Sequence, residues 1–215
     1  MAPAPFRAFL AASTRIEAPA LCPEIRLHLG GSLDEVWRAL EQTPAQATAQ
    51  PPFWSIAWVG GQALARYALD HPGLFRDRRV LDVGSGSGIC AIAAAKAGAR
   101  SVDASDTDAC ARAAIAINAD LNGVAIASVH GDLIGAPSRW DVVLAGDLWY
   151  ERFLAARVSA WLAGMAREGT TVLLGDCRRA YFPRHDVAEL RRYAIPGSAT
   201  LERAAVTAAA VWRMQ

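Results

Sequence analysis

The segment Asp82-Val83-Gly84-Ser85-Gly86-Ser87-Gly88 constrains this chain more than any other. It follows Val80-Leu81-Asp82-Val83, which reads as a buried strand, and precedes Ile89–Ala97, which reads as a helix closed by Gly98. A glycine-rich turn from strand to helix lies at the carboxyl end of a sheet, where open α/β folds bind ligands. Without a Cβ, such a turn lets a ligand approach the backbone closely. The spacing excludes two familiar phosphate loops. A dinucleotide fingerprint needs Gly-x-Gly-x-x-Gly, but Ile89 follows Gly88; a P-loop needs Gly-Lys-Ser/Thr, and no lysine is near. Asp82, two residues ahead of the first glycine, would repel a pyrophosphate and suits a ligand with cationic amino and sulfonium groups.

The rest of the chain repeats the strand–helix alternation. Ser101–Ser105 reads as a second strand, and Asp106-Thr107-Asp108 caps a helix carrying Cys110, Ala114, Ile117 and Leu121 on one side, which ends at Asn122-Gly123. Ala125–His130 and Asp141–Ala145 follow as strands three and four. A helix over Arg152–Arg167 then leads to a fifth strand, Thr170–Gly175, and Ala204–Trp212 reads as a last strand at the edge. The fold class is α/β, with a doubly wound, mostly parallel sheet. Residues 1–52 read as an N-terminal extension, with a strand-like run Glu24–Leu29, a helix Leu33–Glu41 and a loop Thr43–Pro52. Residues 53–215 form the main domain, opening with a helix from Phe53 that places Trp54, Trp58, Gly61, Ala65 and Ala68 on one face.

Composition narrows the function classes. The 22 basic and 21 acidic residues give a net charge of +1, so there is no global pull toward nucleic acid or an anionic membrane. No apolar run approaches the length of a membrane span. Cys22, Cys90, Cys110 and Cys177 are dispersed and the histidines do not cluster, so neither a metal site nor a disulfide framework is expected, and a reducing, cytoplasmic location is. Met1–Ile16 carries Arg7, Ser13, Thr14 and Arg15 with no acid, as transit peptides do; it is read here as a frayed, solvated start.

Two further acids stand where the first three strands end. Asp106 closes the second strand 24 residues after Asp82, where a carboxylate can take both hydroxyls of a ribose. Asp132 follows the third strand and can accept from an exocyclic amine such as adenine N6. Gly84, Ser85, Gly86 and Gly88 of the loop, Thr107 beside Asp106 and Leu133 beside Asp132 complete the expected cofactor contacts. Asp108 is read as a helix cap.

This arrangement resembles the seven-strand, Rossmann-like S-adenosylmethionine-dependent methyltransferases. Pro52 to Tyr67 with its Trp58-x-Gly60-Gly61, the loop Asp82–Gly88, Ala104-Ser105-Asp106, Gly146-Asp147-Leu148-Trp149-Tyr150-Glu151 and Leu174-Gly175-Asp176 are similar to the electron-transfer-flavoprotein β-subunit lysine methyltransferases and their bacterial relatives. Ile25–Leu29 and Val211-Trp212-Arg213 extend the likeness over nearly the whole chain. The resemblance implies S-adenosylmethionine as cofactor and the flavoprotein β-subunit as protein substrate, with no nucleic acid or membrane partner. It implies an acceptor-orienting role for Asp147-x-x-Tyr150. Trp149 and Trp58 are added as pocket walls, since aromatic faces stabilise cationic charge; the alternatives left open are packing under a helix for Trp149 and core packing for Trp58. Arg178-Arg179 and Arg191-Arg192 are read as solvated faces, with docking of an acidic partner as the alternative, and Asp176 and Tyr181 as either a channel border or a turn. Two other readings stay open on this fold: a small-molecule N-methyltransferase with an amine or pyridine acceptor, and a non-catalytic S-adenosylmethionine-binding protein. Asn-Pro-Pro-Tyr is absent at the fourth strand, which argues against adenine or glutamine-amide methylation.

Overall fold

The short apolar runs do become strands of one sheet, and the segments between them become its covering helices. A computed structural model describes residues 4–43, 50–195 and 208–215. In chain order the elements are α1 (Ala4–Ser13), β1 (Arg15–Glu17), β2 (Leu27–Leu29), α2 (Leu33–Glu41), α3 (Val59–Asp70), β3 (Arg79–Val83), α4 (Ile89–Lys96) and β4 (Ser101–Ser105). They continue with α5 (Ala109–Leu121), β5 (Ser128–His130), β6 (Val142–Gly146), α6 (Arg152–Arg167), β7 (Thr171–Asp176), β8 (Val187–Ala194) and β9 (Ala208–Met214). Seven strands form the main sheet in the order β5-β4-β3-β6-β7-β9-β8. The first five run parallel, and β9 is antiparallel to both its neighbours.

β3 lies between β4 and β6, so the chain winds outward in opposite directions from it. That is the switch point of a doubly wound sheet, and it opens a crevice at the carboxyl ends of these strands. One face of the sheet is covered by α3 and α4, with Leu64, Ala68 and Ile92 packed among Val80, Val102, Leu144, Leu173 and Val211. The opposite face holds Leu81, Val143 and Val172 under α6 residues Val158, Leu162 and Met165, with Trp149, Phe182 and Trp212 beside them.

Several sequence expectations need correction. Of the segment expected to be frayed, residues 1–3 lie outside the described residues and Ala4–Ser13 form a helix. Phe6 and Leu10 of α1 are buried, and Phe6 meets Trp54 edge-on at 5.6 Å between centroids; an i, i+3, i+4 apolar spacing through Phe6, Phe9 and Leu10 gives the helix a side to bury against α5. Of Glu24–Leu29 only Leu27–Leu29 pairs, antiparallel to β1. The third strand shrinks to Ser128–His130. The helix expected from Phe53 begins at Val59, after a 3-10 turn at Phe53–Ser55 and an extended Ile56 (φ −122°, ψ 136°). The described part of the last strand lies between β7 and β8 and not at the edge; residues 204–207 of that expectation, like 44–49 of the expected loop, lie outside the described residues. The true edge, β8, is unforeseen, because Glu189, Leu190, Arg191 and Arg192 are exposed and give no apolar alternation.

Candidate active site

The crevice at the switch point holds a cavity of about 240 Å³, lined by parts of the glycine loop, the ends of β4 and β6, the segment after β5 and the turn before α3. Its floor is glycine by necessity. Gly84 and Gly86 have φ of +60° and +54°, and a Cβ on Gly84 would come within 2.3 Å of Leu148 Cδ2. Across the cleft Trp54 is buried, and its indole N–H has no partner among the described residues.

Asp82, expected to face the ligand, points inward. It is 2% exposed, accepts from Ser85 Oγ at 2.5 Å and from the Ala91 N–H at 3.0 Å, and does not line the cavity. It ties the loop to the first turn of α4. Burial pushes its carboxyl up to about 7, against the two hydrogen bonds. Ser85 and Gly88 also stay beneath the cavity: Ser85 donates to Asp82, and Gly88 packs close over Ile115 with φ +86°. Asn118, missed at the sequence level, is fully buried. Its Nδ2 donates to Ser87 O at 2.8 Å and its Oδ1 accepts from His28 N at 2.9 Å, fastening the loop to β2. A lone asparagine on a helix carries no sequence signal of such a task.

Asp106 and Thr107 do line the cavity, with Asp132 and Leu133 further along. Asp106 accepts from Gly86 N at 2.9 Å and Asp108 N at 3.0 Å, one bond per oxygen, which leaves lone pairs on both for hydroxyl donors. Burial raises its pKa. Asp132 is exposed, accepts from Ile134 N at 2.9 Å and pairs with Arg157 at 3.1 Å. Asp108 is the N-cap of α5, as read from sequence.

Trp58, Asp147, Tyr150 and Arg179 line the other end. Trp58 Nε1 donates to Phe53 O at 2.9 Å, and the Phe53 ring sits 5.6 Å from that of Tyr150. Tyr150 is half exposed; burial, then the charges of Asp106 and Glu151, raise its hydroxyl pKa. Asp147 has φ +59°, and its carboxylate caps α3: Oδ1 accepts from Gly60 N at 3.1 Å and Oδ2 from Gly61 N at 2.6 Å. Gly60 is needed for that approach, since a Cβ there would lie 2.2 Å from Gly175 O. Arg179, read as solvated, is instead largely buried. It pairs with Asp147 and with Asp176, the latter at 2.9 Å, and lies 6.0 Å from the Trp58 ring centroid. Burial opposes its charge, but Asp147 and Asp176 outweigh that and hold its pKa above the ordinary value. Asp176 is fully buried, which raises its pKa. Trp149 is not a pocket wall. It is fully buried under α6, donates to Ser159 Oγ at 2.9 Å and packs on Phe182.

A nucleoside with a charged amino-acid tail fits this cavity: acidic acceptors at the β4 and β5 ends, backbone glycine between, and an aromatic, charge-bearing end near β6. Comparison with known proteins agrees. The family model described as ribosomal protein L11 methyltransferase (PrmA) matches residues 63–149. The chain is 38% identical to an electron transfer flavoprotein beta subunit lysine methyltransferase from Danio rerio, over 92% of this chain and 78% of that protein. It is 37% identical to the Xenopus laevis protein of that name (97% and 87%) and 35% identical to the one from Homo sapiens (97% and 82%). Among solved structures, magnesium protoporphyrin IX methyltransferase from Synechocystis with bound SAM shares the fold at a TM-score of 0.51 and 17% identity, covering 72% of this chain and 78% of that one. Ribosomal protein L11 methylase from Lactobacillus delbrueckii does so at 0.50 and 22%, covering 73% and 78%. The chain is an S-adenosylmethionine-dependent methyltransferase and belongs to the electron transfer flavoprotein beta subunit lysine methyltransferase family.

Proposed function

We propose that this enzyme methylates a lysine side chain on the β-subunit of electron transfer flavoprotein. The observation that carries this reading is the pairing of near-full-length identity to lysine methyltransferases with a cavity that ends in Asp147, Tyr150 and Trp58. S-adenosylmethionine, when bound, supplies a sulfonium methyl for in-line displacement by a neutral amine.

In this reading Asp106 takes the ribose hydroxyls, with Thr107 beside it, and Asp132 and Leu133 border the adenine. Gly84 and Gly86 let the methionine portion lie against the loop. Asp82 and Ser85 hold the loop's shape from below, through bonds to each other and to Ala91. Trp58 and Tyr150 wall the acceptor end, where an aromatic surface suits the departing ammonium. Asp147 keeps α3 and the Trp58 wall in place and offers a remaining lone pair to the acceptor N–H. No covalent nucleophile is required of the protein. All four cysteines are thiols, which suits a reducing compartment such as the cytoplasm; among the described residues no helix is long and apolar enough to cross a membrane.

The test is mass spectrometry of purified electron transfer flavoprotein after incubation with the enzyme and S-adenosylmethionine. A one-methyl mass step on a β-subunit lysine is the expected result. An unmodified flavoprotein, with tight S-adenosylmethionine binding measured in parallel, would overturn the acceptor and turn the search to small amines.

A further inference from the structure

We infer that Arg179 is a positioning residue for methyl transfer: it locks the Asp147 cap onto α3 and offsets one of two buried carboxylates at the acceptor end. The inference deepens the lysine-methyltransferase reading and rests on it. Asp147 and Asp176 reach this corner from the ends of two adjacent strands, 9% and 0% exposed at the side chain. Two ionised carboxylates buried this closely are costly without a counter-charge. A single Arg179 nitrogen, Nη1, serves both, while the Arg179 backbone N–H donates to Asp176 Oδ1 at 2.7 Å. The formal charge of the trio is −1, where the two carboxylates alone would bring −2.

That difference matters to a lysine acceptor. Its nitrogen attacks through a lone pair, so its proton must leave to solvent first; the C–S bond then breaks with its electron pair passing to sulfur. Every unopposed carboxylate nearby favours the ammonium and so opposes reaction. The other titratable groups around the corner do not replace Arg179. Tyr150 and Asp106 line the cavity, Cys90 donates to Gly61 O behind the α3 turn, and Cys177 follows Asp176; the first turn of α3, Val59–Gln62, has none. Among the described residues that line this cavity, Arg179 is the one Lys or Arg.

The experiment compares wild type, Arg179→Lys and Arg179→Met in two measurements. The first is the pH profile of kcat with electron transfer flavoprotein. Arg179→Met should move the rising limb about one pH unit alkaline, a loss of about tenfold at neutral pH, with Arg179→Lys restoring most of it and cofactor affinity little changed. The second is melting temperature against pH. The Arg179→Met deficit should grow as the pH rises and the unpaired, buried Asp176 carboxyl ionises, and adding Asp176→Asn should recover it. A rate loss without a shifted profile, or a melting deficit equal at every pH and not rescued by Asp176→Asn, overturns the inference. If wild type leaves the flavoprotein unmethylated, the acceptor reading fails by itself, and the melting series still decides the role of Arg179.

Discussion

Replacing Gly60 by alanine tests why the α3 start carries two glycines. Gly60 is the second residue of a helix, where alanine is ordinarily favoured by about 0.5–1 kcal/mol. The added Cβ, however, would sit 2.2 Å from Gly175 O, 2.6 Å from Gly175 C and 2.8 Å from Asp147 Oδ1. None of these can step aside cheaply. Gly175 is held in β7 between β6 and β9, and Asp147 is held by Gly61 and Arg179. The helix start must retreat instead, which strains packing by about 1–3 kcal/mol. It also stretches hydrogen bonds to a carboxylate worth about 1.5–3 kcal/mol. Set against the propensity gain, the net loss is about 3 kcal/mol. At about 2–4 °C per kcal/mol for a chain of this size, the melting temperature falls by about 6–12 °C. Calorimetry on a graded series reads it. Gly61→Ala presses on a movable Ile89 methyl at 3.3 Å and otherwise makes ordinary contacts with Asp147 Oδ2 at 3.7 Å and Cys90 Sγ at 4.0 Å, so it should cost far less; Gly73→Ala meets nothing within 4 Å and should be neutral. A Gly60→Ala protein that melts with Gly73→Ala would refute the argument that close approach dictates a glycine there.

Other perturbations address the cofactor end and the corrected residues. Asp82 has a folded pKa raised from 3.8 to about 7, so the folded state binds the extra proton between those values and its contribution makes stability fall as pH rises from about 4 to about 7. Asp82→Asn should remove that part of the slope in pH-dependent denaturant melts; an unchanged slope would count against the inward placement. Asp106→Ala should weaken S-adenosylmethionine binding at least about tenfold by calorimetry, because it removes two acceptors and frees Gly86 N, and equal affinity would exclude the ribose assignment. Trp149→Phe loses the bond to Ser159 and leaves a cavity at a fully buried position, so it should cost about 2–4 kcal/mol of stability with turnover retained; a large loss of turnover in a folded protein would restore it to the site.

The elements legible in the sequence were those whose signal is local. α2 is capped by Ser32, α5 by Asp108, and α6 matches its expected limits because apolar period, cap and stop all lie within one segment. The glycine loop was equally legible as a ligand site, since positive φ at Gly84, Gly86 and Gly88 is a property of the turn itself. What failed was direction and partnership over long range. Asp82 looks from sequence like a ligand contact, yet the α4 first turn, nine residues on, satisfies it. α3 begins at Val59, six residues after the expected start at Phe53, because its cap is a carboxylate 86 and 87 positions away. Arg179 looks like half of a solvated pair until β6 and β7 place two carboxylates beside it. These misses share one cause. At the switch point the chain joins charges and backbone donors from different strands, so Trp58-x-Gly60-Gly61, Asp147-x-x-Tyr150 and Asp176-x-x-Arg179 act as one unit though they read as three motifs. A substitution in any of them is therefore an acceptor-end substitution, and its effect on turnover should couple to the other two while leaving Asp106 and the nucleoside end independent.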